Sequence, residues 1–153
     1  MPRTIEGDLR GDGLRVAVLV SVWNAAVTDR LKVGALEVLA RAGVADDDVV
    51  VIEVPGAFEL PQAAAAIADG DSYDAIIALG CLVHGCAKGL MDVSLSARIP
   101  VAFGVITADT QAQADARSRT DAPAGKGGHK GREAAEAAVR LANAMRRFEE
   151  DPS

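Results

Sequence analysis

Four short runs, Arg15 to Val20, Val49 to Val54, Asp74 to Leu79 and Pro100 to Thr107, are apolar almost throughout, and the segments between them repeat apolar residues at helical spacing. This alternation constrains the fold more than any other feature of the chain. A strand exposed on one face alternates apolar and polar residues, whereas one covered on both faces is apolar along its whole length. Val49 to Val54 is β-branched at every position except Glu53, which suits a pleated, buried surface. Parallel strands need long crossovers, and right-handed crossovers lay helices against the sheet. The expectation is an α/β sandwich built on a four-stranded parallel sheet.

The intervening segments carry their own start and stop signals. Leu31, Ala35, Leu36, Val38 and Leu39 recur at three- and four-residue steps, with Asn24 or Thr28 as the cap and Gly43 as the stop. Pro55-Gly56 punctuates the second run, and an alanine-rich helix is predicted from about Phe58 to Ala68. After the third run, Gly80 to Gly85 reads as a loop and Lys88 to Ala97 as a short helix. Residues 111–130 read as a polar connection of unusual length, often a mark of function, before a last helix from Gly131 to Phe148. The expected organisation is a polar arm over 1–13, one domain over 14–149 and a tail over 150–153, and 153 residues are enough for one sizeable core.

Composition narrows the function classes. With 16 Lys plus Arg against 22 Asp plus Glu, the chain has a net charge of -6 and no polybasic run, which argues against a surface built for nucleic acid or anionic lipid. No apolar stretch approaches the ~20 residues that span a bilayer, and the amino end lacks a charged region followed by an apolar one, so a cytoplasmic location is expected. The two cysteines, Cys81 and Cys86, make no disulfide framework.

Ligands of such sheets bind where the strands end at their carboxyl edge. Trp23 and Phe58 follow the first and second runs and so reach that edge together. Each offers a face for a planar ligand; the alternative is that each closes the core beneath a loop. Glu59 accepts hydrogen bonds from a polyhydroxylated ligand on one reading, and favours a helix amino end on the other. The run from Gly125 to Gly131 brings backbone N–H groups, Lys126 and Lys130 toward an anion. Arg117 and Arg119 add forked donors suited to phosphate, with a flexible basic turn as the alternative. Cys81, His84 and Cys86 do not match a usual zinc spacing, so no metal site is expected.

The ordered segments Ser21-Val22-Trp23-Asn24, Thr28-Asp29-Arg30-Leu31 with Gly34-Ala35, Val54-Pro55-Gly56-Ala57-Phe58-Glu59-Leu60-Pro61, Ala78-Leu79-Gly80-Cys81-Leu82-Val83, Phe103-Gly104-Val105-Ile106-Thr107 and the lysine-glycine lead into the last helix carry a resemblance over nearly the whole chain. It resembles the 6,7-dimethyl-8-ribityllumazine synthases of riboflavin biosynthesis. The resemblance implies a flavodoxin-like three-layer sandwich, a homopentamer, in some members an icosahedral shell of sixty subunits, and pockets between neighbouring subunits. It implies a transferase that condenses 5-amino-6-(D-ribitylamino)uracil with 3,4-dihydroxy-2-butanone 4-phosphate without metal or organic cofactor. By the same resemblance Trp23 stacks on the pyrimidine, and Ala57, Phe58 and Glu59 contact the ring and ribityl chain. Cys81, Leu82 and Val83 line the pocket through backbone groups, Phe103 comes from the adjacent subunit, and Arg117 and Lys130 hold the phosphate.

One departure stands out. The family pattern continues the third strand with an isoleucine-arginine-glycine step, a phosphate-contacting turn, a histidine and the first turns of a helix. Here Val83-His84-Gly85-Cys86 passes straight to Ala87-Lys88-Gly89-Leu90, about eleven residues shorter. The family's catalytic histidine falls in the missing part, and His84, at the arginine's position, does not inherit its role. The catalytic residue is therefore unassigned, turnover is expected to be low, and the alternative function is a noncatalytic scaffold or a ribityl-ligand- or flavin-binding paralogue.

Overall fold

Each apolar run forms a strand: β1 (Val16–Ser21), β2 (Val49–Val54), β3 (Ala75–Leu82) and β4 (Val101–Thr107). The computed structural model describes residues 1–82, 87–121 and 128–150, and the side chain of Leu82 lies outside this description. The strands pair in the order β2-β1-β3-β4, all parallel. The helices are α1 (Ala25–Ala42), α2 (Leu60–Ala68), α3 (Ala87–Ser96), α4 (Gln111–Ala116) and α5 (Lys130–Glu150). The result is the expected α/β architecture of flavodoxin-like type, a four-stranded parallel sheet flanked by helices.

Alternation along β1 divides the core into two layers. Val16, Val18 and Val20 meet Leu31, Ala35, Val38, Ala135, Ala138 and Val139 on the α1/α5 side. Ala17 and Leu19 meet Leu60, Ala64 and Leu90 on the α2/α3 side. Cover on both faces is complete for β1, whereas the edge strand β2 is only half-buried before Val54 and β4 exposes Phe103. An edge strand has one neighbour and little helix above it, so apolar sequence alone does not bury it.

Helices α1 and α5 approach closely because two glycines stand at their seam. A Cβ on Gly131 would lie 2.1 Å from the Leu31 carbonyl oxygen, and one on Gly34 would lie 2.3 Å from His129 Cε1. Helix α1 stops where Gly43 takes φ 87° and donates its N–H to Ala40 O, the left-handed ending that glycine permits.

Two predicted boundaries are corrected. The Gly80 to Gly85 loop begins later, because Gly80, Cys81 and Leu82 extend β3 and pair with Val105, Ile106 and Thr107 of β4. Gly80 is there for closeness, since a Cβ would lie 3.0 Å from both Ala57 Cβ and Leu60 Cδ1. The polar connection after β4 also contains α4. Thr110 accepts from Gln113 N at 3.2 Å, and Gln113 Oε1 accepts from Asp109 N at 2.9 Å, a reciprocal cap that starts this short helix.

Residues before β1 lie along α5. Asn143 Nδ2 donates to Arg10 O at 2.6 Å and to Asp8 O at 3.0 Å, Arg146 to Gly13 O at 3.2 Å, and Arg147 to Glu6 O and Asp8 Oδ2. None of the described helices is long and apolar enough to cross a membrane.

Candidate functional site

The carboxyl edge of the sheet assembles from the ends of β1, β2 and β3 and the start of α4. Beyond β1 the chain stays in register for two residues more, with Val22 N donating to Val54 O at 2.8 Å and Trp23 N to Pro55 O at 3.0 Å. Asn24 then turns the chain into α1 at φ 64°, without a side-chain cap bond. The expected capping role is replaced by a cross-strand one, as Asn24 Nδ2 donates to Cys81 O at 3.3 Å. Asn is among the few non-glycine residues that accept this backbone region.

Trp23 lies across Gly56, where a Cβ would sit 2.6 Å from indole Cε3. Gly56 has φ -133°, so the glycine is required by the indole above it and not by its backbone angle. The Pro55-Gly56 punctuation thus seats an aromatic ring. Trp23 remains 65% exposed and Phe58 79%, so neither closes the core, and the packing alternative fails for both. Ala57 is buried among Val54, Leu60 and Ala78. A 3-10 turn, Ala57–Glu59, precedes α2, and Glu59 Oε2 accepts from Gly56 N at 2.8 Å. Glu59 therefore caps its own turn with one oxygen, while Oε1 has no partner among the described residues.

Cys81 ends the core side of β3. Burial pushes its thiol pKa up, assisted by the nearby charge of Asp115, and its carbonyl accepts the Asn24 amide. Leu82 pairs with Thr107. Val83 lies outside the described residues, as do His84, Cys86 and the Lys126 part of the glycine-rich run. Ser21 carries a buried hydroxyl with no partner among the described residues, beside the surface of Gly80.

The two predicted phosphate residues are tied together. Lys130 N donates to Arg117 O at 2.9 Å, which joins the first residue of α5 to the end of α4. Arg117 Nη1 donates to Thr107 O at 2.6 Å, so the guanidinium lies over the end of β4, with Nη2 and Nε without a partner among the described residues. Lys130 Nζ pairs with Glu133 at 2.6 Å. Arg119, the other candidate, grips Asp121 through Nε at 2.9 Å and Nη2 at 2.5 Å, leaving Arg117 as the better-presented fork.

Beneath Arg117 lies a set of residues that the sequence reading did not assign. Arg30, on α1, donates from Nη2 to Asp115 Oδ1 and from Nε to Ser118 Oγ at 3.1 Å. Ser118 is fully buried and donates onward to Ala114 O at 3.1 Å. The hydrogen bond from Arg30, with one from Gln111, holds the Asp115 carboxyl below the usual carboxylate range. Arg30 stands within the quoted Thr28-Asp29-Arg30-Leu31 segment, but nothing linear links it to a residue 85 positions away.

Phe103 is not part of this edge within one chain. It pairs with Ala78, which pairs with Leu19, four residues short of Trp23 and two strands across. That separates the two aromatics by roughly 13 Å along the strands and 10 Å across them. Its ring is 45% exposed. His129, one of two histidines, is 2% exposed, packed against Gly34. Burial lowers its pKa below 6.5, and Arg132 adds to the shift against the opposing pull of the Arg30 carbonyl and Glu37.

A sequence model of the 6,7-dimethyl-8-ribityllumazine synthase family matches residues 13–146. A protein of that name from Desulfatibacillum aliphaticivorans is 42% identical over 159 residues, covering 97% of this chain and 99% of the relative. Another of that name from Desulfotalea psychrophila is 41% identical over 154 residues, covering 94% and 96% respectively. Both alignments run longer than the 153 residues present here, so they include positions at which this chain has no residue.

Proposed function

The chain belongs to the 6,7-dimethyl-8-ribityllumazine synthase family, and from that premise we propose that it is a transferase of riboflavin biosynthesis, condensing 5-amino-6-(D-ribitylamino)uracil with 3,4-dihydroxy-2-butanone 4-phosphate. The observation that carries this reading is the pairing, at one edge of the sheet, of an open indole face on Gly56 with the Arg117 fork over Thr107. Trp23 stacks on the pyrimidine, and Phe58 flanks it. Ala57 shapes the floor, Glu59 Oε1 accepts from ribityl hydroxyls, and the backbone of Cys81, Leu82 and Val83 completes the wall.

The chemistry then follows from placement. The 5-amino group attacks the ketone carbonyl, and loss of water gives an imine. Elimination breaks the C–O bond to phosphate, whose departing charge is met by Arg117 and Lys130. The elimination also removes the C3 proton and leaves an enol, which tautomerises to a ketone at C3, and the ribitylamino nitrogen closes the ring on that new carbonyl with loss of a second water. Orientation of two bound reactants is worth up to roughly 7–11 kcal/mol of barrier, against 10²–10⁴-fold from one general acid or base. The chain therefore turns over slowly without a histidine in the place the family uses.

The site is completed by a second subunit. Phe103 lies too far from Trp23 to join it within a chain, and Phe103, Met91 and Leu95 leave apolar surface exposed on the β4/α3 side. These features support a homopentamer in which a neighbour supplies Phe103, with the sixty-subunit shell as a further assembly of such pentamers, in the cytoplasm.

The test combines both substrates with the purified protein and follows the product by absorbance, alongside native mass spectrometry. Product formation that depends on Trp23 and Arg117, from a pentamer, is the expected result. A folded pentamer that binds the ribityl compound and forms no product would overturn the enzyme reading, and a persistent monomer would overturn the shared site.

A further inference from the structure

The fork of Arg117 is held from behind by groups that do not reach the edge themselves. Arg117 closes α4, its N–H donating to Ala114 O at 3.2 Å, and its own carbonyl is taken by Lys130 N. The residues on either side of it in the turn, Asp115 and Ser118, are both gripped by Arg30 of α1. Helix α4 has six residues, too few to be stable alone, and Ala114 is its one buried residue. The bonds of Arg30 to Asp115 and Ser118 tie this short helix to α1, as those of Arg117 with Thr107 and Lys130 tie its end to β4 and α5. A further tie runs from Arg132, which grips Glu37 at 2.9 Å and Thr120 O at 3.2 Å, but it lies beyond Arg117 in the chain.

We propose that Arg30, acting through Asp115 and Ser118, is the positioning device for the phosphate-binding Arg117, fixing α4 so that its terminal guanidinium stays docked on the Thr107 carbonyl and faces the phosphate with Nη2 and Nε. This rests on the phosphate site described above. Arg30 is not itself an anion ligand: two of its nitrogens are committed to Asp115 and Ser118, and it approaches the turn from the α1 side. The bonds it makes are charge-assisted on the Asp115 side, the kind that fix geometry as well as hold it.

The sign of one substitution separates positioning from simple charge. Asp115→Asn removes a negative charge beside an anion site, so Coulomb's law alone makes phosphate bind more tightly. Positioning makes it bind more weakly, because the Arg30 grip is lost and Arg117 is no longer presented. Inorganic phosphate is the probe, titrated calorimetrically into the full-length protein at fixed low ionic strength, with Arg117→Ala as the reference for the site. The expected result is about tenfold weaker binding for Asp115→Asn, the size of one misaligned charged hydrogen bond, and a similar loss for Ser118→Ala. Arg30→Lys, which keeps the charge without the fork, should lose about as much, and the Asp115 change should add nothing in the Arg117→Ala background. Unchanged or tighter binding by Asp115→Asn overturns the positioning role while the phosphate site stands. Wild-type binding that is indifferent to Arg117→Ala overturns the site, and the positioning role with it. Thermal unfolding of each variant identifies loss of fold, and the Arg30→Lys and Ser118→Ala variants decide the matter if Asp115→Asn does not fold.

Discussion

Gly131→Ala tests the seam between α1 and α5. The added methyl would lie 2.1 Å from the Leu31 carbonyl oxygen, 2.8 Å from its carbonyl carbon and 2.9 Å from its Cα. All three are backbone atoms, so no side chain can swing aside. Since a carbon rests about 3.3 Å from a carbonyl oxygen, the helices must part locally by about 1.2 Å. A gap of that order forfeits a quarter to a half or more of each van der Waals contact across the seam, where Leu31, Ala35 and Val38 meet Ala134, Ala135, Ala138 and Val139. Overpacking of this kind costs about 1–3 kcal/mol, opposed by up to about 1 kcal/mol of helix propensity gained on replacing glycine. The net expectation is a loss of about 1–2 kcal/mol, or about 2–8 °C in Tm for a domain of this size. Urea unfolding at one protein concentration measures it. Gly70→Ala is the control, because its nearest neighbour is Ile67 O at 3.5 Å, and it should be neutral or gain about 0.4–1 kcal/mol. A Gly131→Ala protein within about 0.5 kcal/mol of the parent, the range of ordinary surface changes, would refute the reasoning.

Trp23→Ala should leave stability within about 0.5 kcal/mol of the parent, since the indole is mostly exposed, yet weaken a ribityl-pyrimidine ligand about threefold to tenfold; equal affinity by calorimetry removes the ring from the pocket. His129 has its pKa lowered below 6.5, chiefly by burial. The unfolded chain therefore binds a proton more readily than the folded one, and the stability this supplies, full above pH 6.5, is lost as pH falls through the folded pKa. Unfolding free energies measured from pH 8 down to pH 5 should decline less steeply for His129→Gln, and identical slopes would rule out a buried neutral imidazole. Steady-state kcat should fall about a hundredfold or more below that of a family member that carries the histidine, the share of one general acid or base; equal turnover in the same assay would show that no such histidine is needed.

The strands were legible because apolar, β-branched runs of six or so residues have few other uses between helical segments, and α1 and α5 because each repeats its apolar face over several turns. What was not legible depended on proximity. Gly80 reads as a loop residue until Ala57 and Leu60 are seen against it. Helix α4 is too short to show periodicity, although the Thr110 to Gln113 spacing held its signature. The Arg30–Asp115 pair joins α1 to α4 across 85 positions, and no local pattern announces it. At the candidate site, the place of Trp23 and Phe58 at the carboxyl edge was readable from their position after strands, whereas the roles given to them, to Glu59 and to Arg117 came from the resemblance. That Arg119 commits two nitrogens to Asp121 and Arg117 one to Thr107 depended on coordinates.

The segment that runs along α5 sets an order on folding during synthesis. Asp8 and Arg10 bond Asn143, and Glu6 bonds Arg147, residues more than 130 positions later. The rest of the sheet can form in steps, β1 with β2, then β3 with β1 and β4 with β3, as the chain lengthens. At about 5–20 residues per second the ribosome delivers Asn143 roughly 7–27 s after Asp8. Through that interval Glu6, Asp8 and Arg10 lack their partners on α5, while Gly11, whose N–H donates to Ala42 O at 2.6 Å, already has its partner at the end of α1.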